Sequence, residues 1–155
     1  MKKIGVLLCG LLLLVAAGYS QTDSMLNSKT MKLNAGIITE RLTETRDFYV
    51  NTLGFGVTFE NEFYVLLHTP GGKSEISFLL PNHPSQQPLF HAPFPGKGVY
   101  LTLEVADVDT LYDELKRKGV TIRIALRDEP WGDRHFAIED PNGVGIDIVT
   151  YSPQQ

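Results

Sequence analysis

Between Met31 and Tyr151 apolar residues recur with two different periods, and the switches between them mark the elements. Period-two alternation is the mark of a strand with one covered face. It runs through KLNAGIIT, GVTFEN, FYVLLHT and EISFLLP, then again through VYLTLEVA, VTIRIAL, HFAIED and VGIDIVTY. Two stretches carry a helical period instead, LTETRDFYVNTLG and DVDTLYDELKRKG. In the first, Thr43 is placed to cap the helix, Arg46 to Leu53 carry the apolar stripe, and Gly54 stands where a C-terminal glycine belongs. In the second, Asp107 or Asp109 starts the helix and Gly119 ends it. PGGK reads as a turn. NHPSQQPLFHAPFPGKG reads as a loop, long for a compact domain.

The order of elements repeats. Each half reads strand, helix, strand, strand, strand, with Asn34 to Gly54 spanning 20 positions and Tyr100 to Gly119 spanning 19. Two tandem βαβββ modules predict an α+β fold in which each sheet packs one face on its helix. Alternation assigns the faces. Leu101, Leu103, Val105, Phe136, Ile138, Ile146 and Ile148 fall on the helix side. Tyr100, Thr102, Glu104, His135, Glu139 and Asp147 fall on the other, and Asn34 and Ser77 occupy the matching face of the first half. If both sheets curve together into one mostly antiparallel surface, these polar groups line a single cavity.

Composition fits a folded domain and narrows the partners. The 155 residues suffice for one domain with a core; 43% are hydrophobic, 21% charged, and the formal charge is −4. No basic patch or arginine-rich run is present, so nucleic acid is not an expected partner. The first twenty residues read as a signal peptide: Lys2 and Lys3 ahead of the apolar run Ile4 to Ala17, with Gly18 and Ser20 placed for cleavage before Gln21. That run is short for a membrane span. The expected product is periplasmic or secreted, with no stable membrane anchor. Losing two lysines and no acid takes the charge from −4 to −6, and losing Cys9 leaves no thiol chemistry. Residues 21–30, QTDSMLNSKT, read as a flexible leader to a domain at 31–151.

ETRDFYVNTLGF, EVADVDTLYDELKRKGV and above all EPWGDRHFAIEDPNGVGIDIV resemble the vicinal oxygen chelate superfamily, which includes glyoxalase I, bleomycin-resistance proteins and extradiol dioxygenases. The resemblance implies the glyoxalase-like fold over nearly all of residues 31–151. It does not single out one activity, because the fold hosts several chemistries. The superfamily's metal enzymes place four ligands on the first and last strands of their modules. Matched by motif, these positions fall on Asn34, Ser77, Tyr100 and Asp147. Only Asp147 is a good ligand for a divalent metal, while Ser77 and a neutral Tyr100 are poor ones. The resemblance therefore favours a small-molecule binding protein without a tight metal site or other cofactor. The alternative is a lyase-, isomerase- or dioxygenase-like enzyme with an atypical metal site. It also leaves open a homodimer with a cavity shared between chains.

If chemistry is carried out here, Asp147 and His135 are the acid–base candidates, since imidazole titrates near neutrality. Each also has a bland reading as a solvated or paired strand residue. Asn34, Ser77, Tyr100, Thr102 and Glu104 are candidate ligand contacts. Trp131 and Arg134, in EPWGDRH, are placed for the rim, where an aromatic ring and a guanidinium suit a planar or anionic molecule. The alternative is a packed loop anchor, with Arg134 paired to Asp128, Glu129 or Asp133. The signal reading makes a direct prediction. Intact-mass measurement of the protein from its native host gives a chain starting at Gln21; retention of Met1, or a lipid on Cys9, refutes it.

Overall fold

The computed structural model describes residues 31–152; the predicted signal peptide and the leader at 21–30 lie outside them. The described elements belong to one unit that starts at Leu33. The first module runs β1 (Ala35–Ile38), α1 (Leu42–Asp47), β2 (Gly56–Glu60), β3 (Tyr64–His68) and β4 (Glu75–Leu79). The second runs β5 (Tyr100–Glu104), α2 (Val108–Arg117), β6 (Ile124–Asp128), β7 (Arg134–Glu139) and β8 (Gly145–Thr150). The strands make two four-stranded sheets of identical topology, β1-β4-β3-β2 and β5-β8-β7-β6. In each, the first strand pairs parallel with the last and the other two pairings are antiparallel. A helix between the first two strands makes the parallel pairing reachable.

The helices begin and end by different means. Asp107 caps α2: its carboxylate accepts from the Thr110 amide at 3.0 Å and from the Thr110 hydroxyl at 2.7 Å. Thr43 does not cap α1. Arg41 holds the N-cap position without a side-chain bond, and its amide is taken by Thr39 Oγ1 at 2.9 Å. After Asp47 the helix widens into a π-type turn over Phe48–Thr52. Gly54 and Gly119 follow the helical segments at φ of 74° and 79°, a conformation costly for any residue with a Cβ.

Strand alternation partitions the sheets as the sequence predicts. Phe136, Ile138, Ile146 and Ile148 are fully buried, with Leu101 and Leu103 half-buried beside them. Ile37, Val65, Leu67, Ile76 and Phe78 do the same in the first sheet, around Tyr49. Both sets belong to one core. Edge-to-face aromatic pairs lock each helix to its module: Tyr49 with Phe55 at 5.3 Å, and Tyr112 with Phe136 at 5.1 Å.

The modules are joined by the β7–β8 turn. Asp140-Pro141-Asn142-Gly143 closes by a 3.0 Å bond from the Gly143 amide to the Asp140 carbonyl, with Gly143 at φ 80°. Asp140 is buried, yet its carboxylate is satisfied four times. Oδ1 accepts from the Asn142 and Val144 amides at 2.8 and 2.9 Å. Oδ2 accepts from the Tyr49 hydroxyl at 3.2 Å and from Asn142 Nδ2 at 3.1 Å. Burial first, then the adjacent carboxylate, hold the Tyr49 phenol protonated far above its ordinary range. Asn142 also accepts from the Thr39 hydroxyl and donates to Thr45 Oγ1, while Arg41 donates to the Pro141 carbonyl at 2.7 Å. Replacing Asp140 by Ala strands several buried donors, so urea unfolding followed by circular dichroism shows a loss of about 3 kcal/mol. Tyr49→Phe, which removes one neutral donor, costs about 1 kcal/mol.

Candidate functional site

The face of each sheet that points away from its helix is where chemistry can be placed. In the second sheet, register puts Tyr100 beside Gly145, Thr102 beside Asp147 and Glu104 beside Val149. It then puts Asp147 beside Ala137, and Val149 beside His135, which in turn faces Arg127. Tyr100, Thr102 and Glu104 form one exposed row along the edge strand β5, with Tyr100 73% exposed. Val149 and Ala137, both buried, sit between the polar groups of this face.

His135 is held from both sides. Its Nδ1 lies 2.7 Å from Asp147 Oδ1, and its Nε2 lies 2.9 Å from Glu129 Oε1. A neutral imidazole has one N–H, so only the doubly protonated ring satisfies both carboxylate partners at once. The Asp147 bond, with the Glu129 bond and both negative charges adding to it against partial burial, raises the His135 pKa. The Glu129 carboxyl is held below its ordinary range, first by His135 and further by Arg127, whose Nε is 2.6 Å away. In its doubly protonated state His135 can give a proton but has no free lone pair to accept one.

In the first sheet, Ser77 is buried and its hydroxyl donates to Asn34 Oδ1 at 3.3 Å, with the Ala35 carbonyl at 3.4 Å. His68 shares this face. Its Nδ1 is bonded to the Thr58 hydroxyl at 2.9 Å, and its ring lies so close over Gly56 that a Cβ there would clash with Nε2.

The polar groups expected to line one pocket are hydrogen-bonded as two sets. Asn34 is joined to Ser77, and Asp147 to His135. Among the described residues no hydrogen bond or ion pair links one set to the other. Clefts of about 440, 310 and 300 Å³ lie elsewhere, and none of the three is lined by Tyr100, His135, Asp147 or Ser77. The largest is at the module junction, between Arg41, Phe94 and Asn142.

Arg134 lies on the other side of the sheet from His135. It forks onto Asp109 of α2 at 2.7 and 2.8 Å and holds Asp128 at 2.9 Å. It is thus committed to fixing the helix start rather than to the rim. Trp131 is 70% exposed at the β6–β7 turn, its Nε1 donating to Asp133 at 2.8 Å. Glu129 is the site residue that sequence reading passes over, weighed only as a partner for Arg134. Its position before the PWGD turn was the available signal, because folding β6 back on β7 brings it beside His135.

The four metal positions of the resembled fold do not fit a cation. Ser77 spends its hydroxyl on Asn34, Tyr100 is an exposed phenol, and Asp147 is bonded to His135. No group of three His, Cys, Asp or Glu side chains among the described residues is placed to hold a metal.

The repeated topology and the split of its faces suit comparison with known proteins. The family model for the Glyoxalase/Bleomycin resistance protein/Dioxygenase superfamily matches residues 33–148. The chain belongs to this superfamily. A superfamily member from Sphaerobacter thermophilus is 31% identical, with a TM-score of 0.62, covering 77% of this chain and 96% of that one. TnmS3, an antibiotic binding protein from Streptomyces sp. CB03234, shares the fold at 22% identity and TM-score 0.64, over 81% and 100% of the two chains. So does a bleomycin resistance determinant encoded on the transposon Tn5, at 22% identity and TM-score 0.58, over 80% and 100%. The chain spans only about a third of the length of the curated relatives it matches. These are uncharacterised proteins of Mycobacterium bovis and Mycobacterium tuberculosis, 40% identical over 48 residues, with 32% and 28% of their lengths covered.

For this superfamily member the face assignment has a sharp test. Asp147→Ala leaves the fold intact at a cost of about 1 kcal/mol, since it removes one bond on a partly open face. Ile148→Asp buries an unpaired charge against the core and abolishes cooperative unfolding. The reverse pattern in thermal melts inverts the faces and removes the site.

Proposed function

We propose that this superfamily member binds a small organic molecule on the sheet face carrying Tyr100, Thr102, Glu104 and Asp147, without a tight divalent metal. The observation that carries the reading is the exposed row on β5. An aromatic ring, a hydroxyl and a carboxylate stand on one face, and neither Tyr100 nor Glu104 is tied to another side chain among the described residues. An exposed aromatic ring such as Tyr100 gains by covering. The antibiotic binding protein and the bleomycin resistance determinant of the same fold support a binding role over a catalytic one. The reading extends to an exported protein, periplasmic or secreted, since the signal-like start motivates it. It also extends to a homodimer in which a second copy covers the open face.

A second reading has one specific observation behind it. The 2.7 Å bond between His135 and Asp147 is a geometry for proton delivery, which a lyase or isomerase would use. Ligand screening by thermal shift, with metal titration alongside, separates the two. The binding reading expects a stabilising organic ligand whose affinity falls roughly tenfold, about 1.4 kcal/mol, in Tyr100→Ala. It also expects zinc, nickel, manganese and iron(II) all to bind more weakly than about 1 µM, roughly −8 kcal/mol. A stoichiometric metal site tighter than that, or turnover of a ligand that stops in His135→Gln, gives the enzyme reading instead.

A further inference from the structure

The cleft of about 440 Å³ at the module junction is built from three separate stretches of chain. They are residues 39–41 after β1, residues 93–96 of the loop between modules, and the β7–β8 turn with Glu139 beside it. Each stretch is fastened. The Phe94 amide donates to the Ile38 carbonyl at 2.8 Å, and the half-buried Phe94 ring packs on the core. The Arg41 amide is taken by Thr39 Oγ1 at 2.9 Å, and the Thr39 hydroxyl donates to Asn142. Gly96 and Gly143, at φ of 81° and 80°, let loop and turn meet: a Cβ on Gly143 would stand 3.3 Å from the Gly96 carbonyl oxygen. Pro93, Pro95 and Pro141 also line the cleft, each with φ set by its own ring. Walls held in this way lose little conformational freedom when a ligand fills the space between them.

The charged groups of the cleft are Glu40, Arg41 and Glu139. Arg41 Nη1 donates to the Pro141 carbonyl at 2.7 Å, which aims the guanidinium. Arg46, Arg123, Arg127 and Arg134 each hold a carboxylate, whereas Arg41 has none among the described residues. Its Nε and Nη2 are left as a pair of donors. That is the same edge with which Arg134 forks onto Asp109 at 2.8 and 2.7 Å. Glu139 is neutralised by Arg123 at 3.2 Å. Glu40 is exposed and has no hydrogen-bond or ion-pair partner among the described residues. An aimed donor needs less ordering than a mobile acceptor, so the cleft favours an anion over a cation.

We propose that this junction cleft is a second binding site, which takes a small aromatic monocarboxylate. The carboxylate spans Nε and Nη2 of Arg41, a bidentate match of planar groups. The ring lies against Phe94 and the prolines, where its apolar area leaves water. A single negative charge suits the site, because Glu40 repels any second one. None of Tyr100, Thr102, Glu104 or Asp147 lines the cleft, so the site stands whether or not the β5 face binds a ligand.

Phenylacetate titrated into the isotope-labelled full chain tests this by NMR. The amides of Gly96, Asn142 and Gly143 shift and saturate, with a Kd of about 1 mM or tighter. Acetate lacks the ring and phenylacetamide lacks the charge, and each binds at least roughly tenfold more weakly. Arg41→Gln weakens phenylacetate binding by about tenfold or more, while Glu40→Gln tightens it about twofold by removing the repelling charge. Circular dichroism shows whether Arg41→Gln is folded; if it is not, the three probes and Glu40→Gln decide. The site is overturned if phenylacetate does not saturate, if its shifts gather on Tyr100 to Glu104, or if benzylamine or phenylacetamide binds as well as it does. A folded Arg41→Gln chain that keeps its affinity, or a Glu40→Gln chain that binds no more tightly, overturns it too.

Discussion

Everything in this fold rests on the buried carboxylate of Asp140. A charge removed from water is tolerable only when its lone pairs are filled. The four donors that fill them are drawn from two places: the turn itself, through Asn142 and Val144, and the first module, through Tyr49. The carboxylate thus shapes the β7–β8 turn and seats the first helix on the second module in one arrangement. Asn142 extends the tie to Thr39 and Thr45, and Arg41 closes it on Pro141. A residue in the second half of the chain in this way decides where the first half sits.

Given that seating, strand register does the rest. Each sheet sends alternate residues into a shared core and the others outward, and the parallel pairing of β5 with β8 sets Thr102 beside Asp147. The outward face is not uniformly polar, because Val149 and Ala137 lie buried among the polar side chains. They give that face a dry floor, against which the charged bonds of His135 are stronger than they would be in water.

Much of this was legible in the sequence, and the reasons are local. Ile146, Asp147 and Ile148 differ so sharply in polarity that only one strand register buries the isoleucines, so the faces could be read directly. Gly54 and Gly119 marked both helix ends for the same kind of reason. Thr43 misled because capping depends on where the preceding backbone turns, and Thr39 performs that service from outside the helix. For Arg134 the sequence offered a rim position or a pairing with Asp128, Glu129 or Asp133, and the structure pairs it with Asp128 and also with Asp109 of α2. Counting from Phe136 by twos puts Arg134 with the core residues, where Asp109 waits. Asp140 and Asn142 read as turn formers, and no periodicity could reveal that their partners lie about a hundred residues earlier.

Superfamily membership fixes the frame and leaves the chemistry to individual side chains. At the matched metal positions this chain carries an amide, a hydroxyl, a phenol and one carboxylate, and the carboxylate is turned to an imidazole. A carboxylate that would help bind a cation from outside instead holds one supplied by the protein, with Glu129 as its second partner. The positive centre is a ring that can lose its charge, whereas a bound metal ion keeps its own. Glu129, absent from the matched positions, is the second carboxylate on that ring and ties it to the β6–β7 turn.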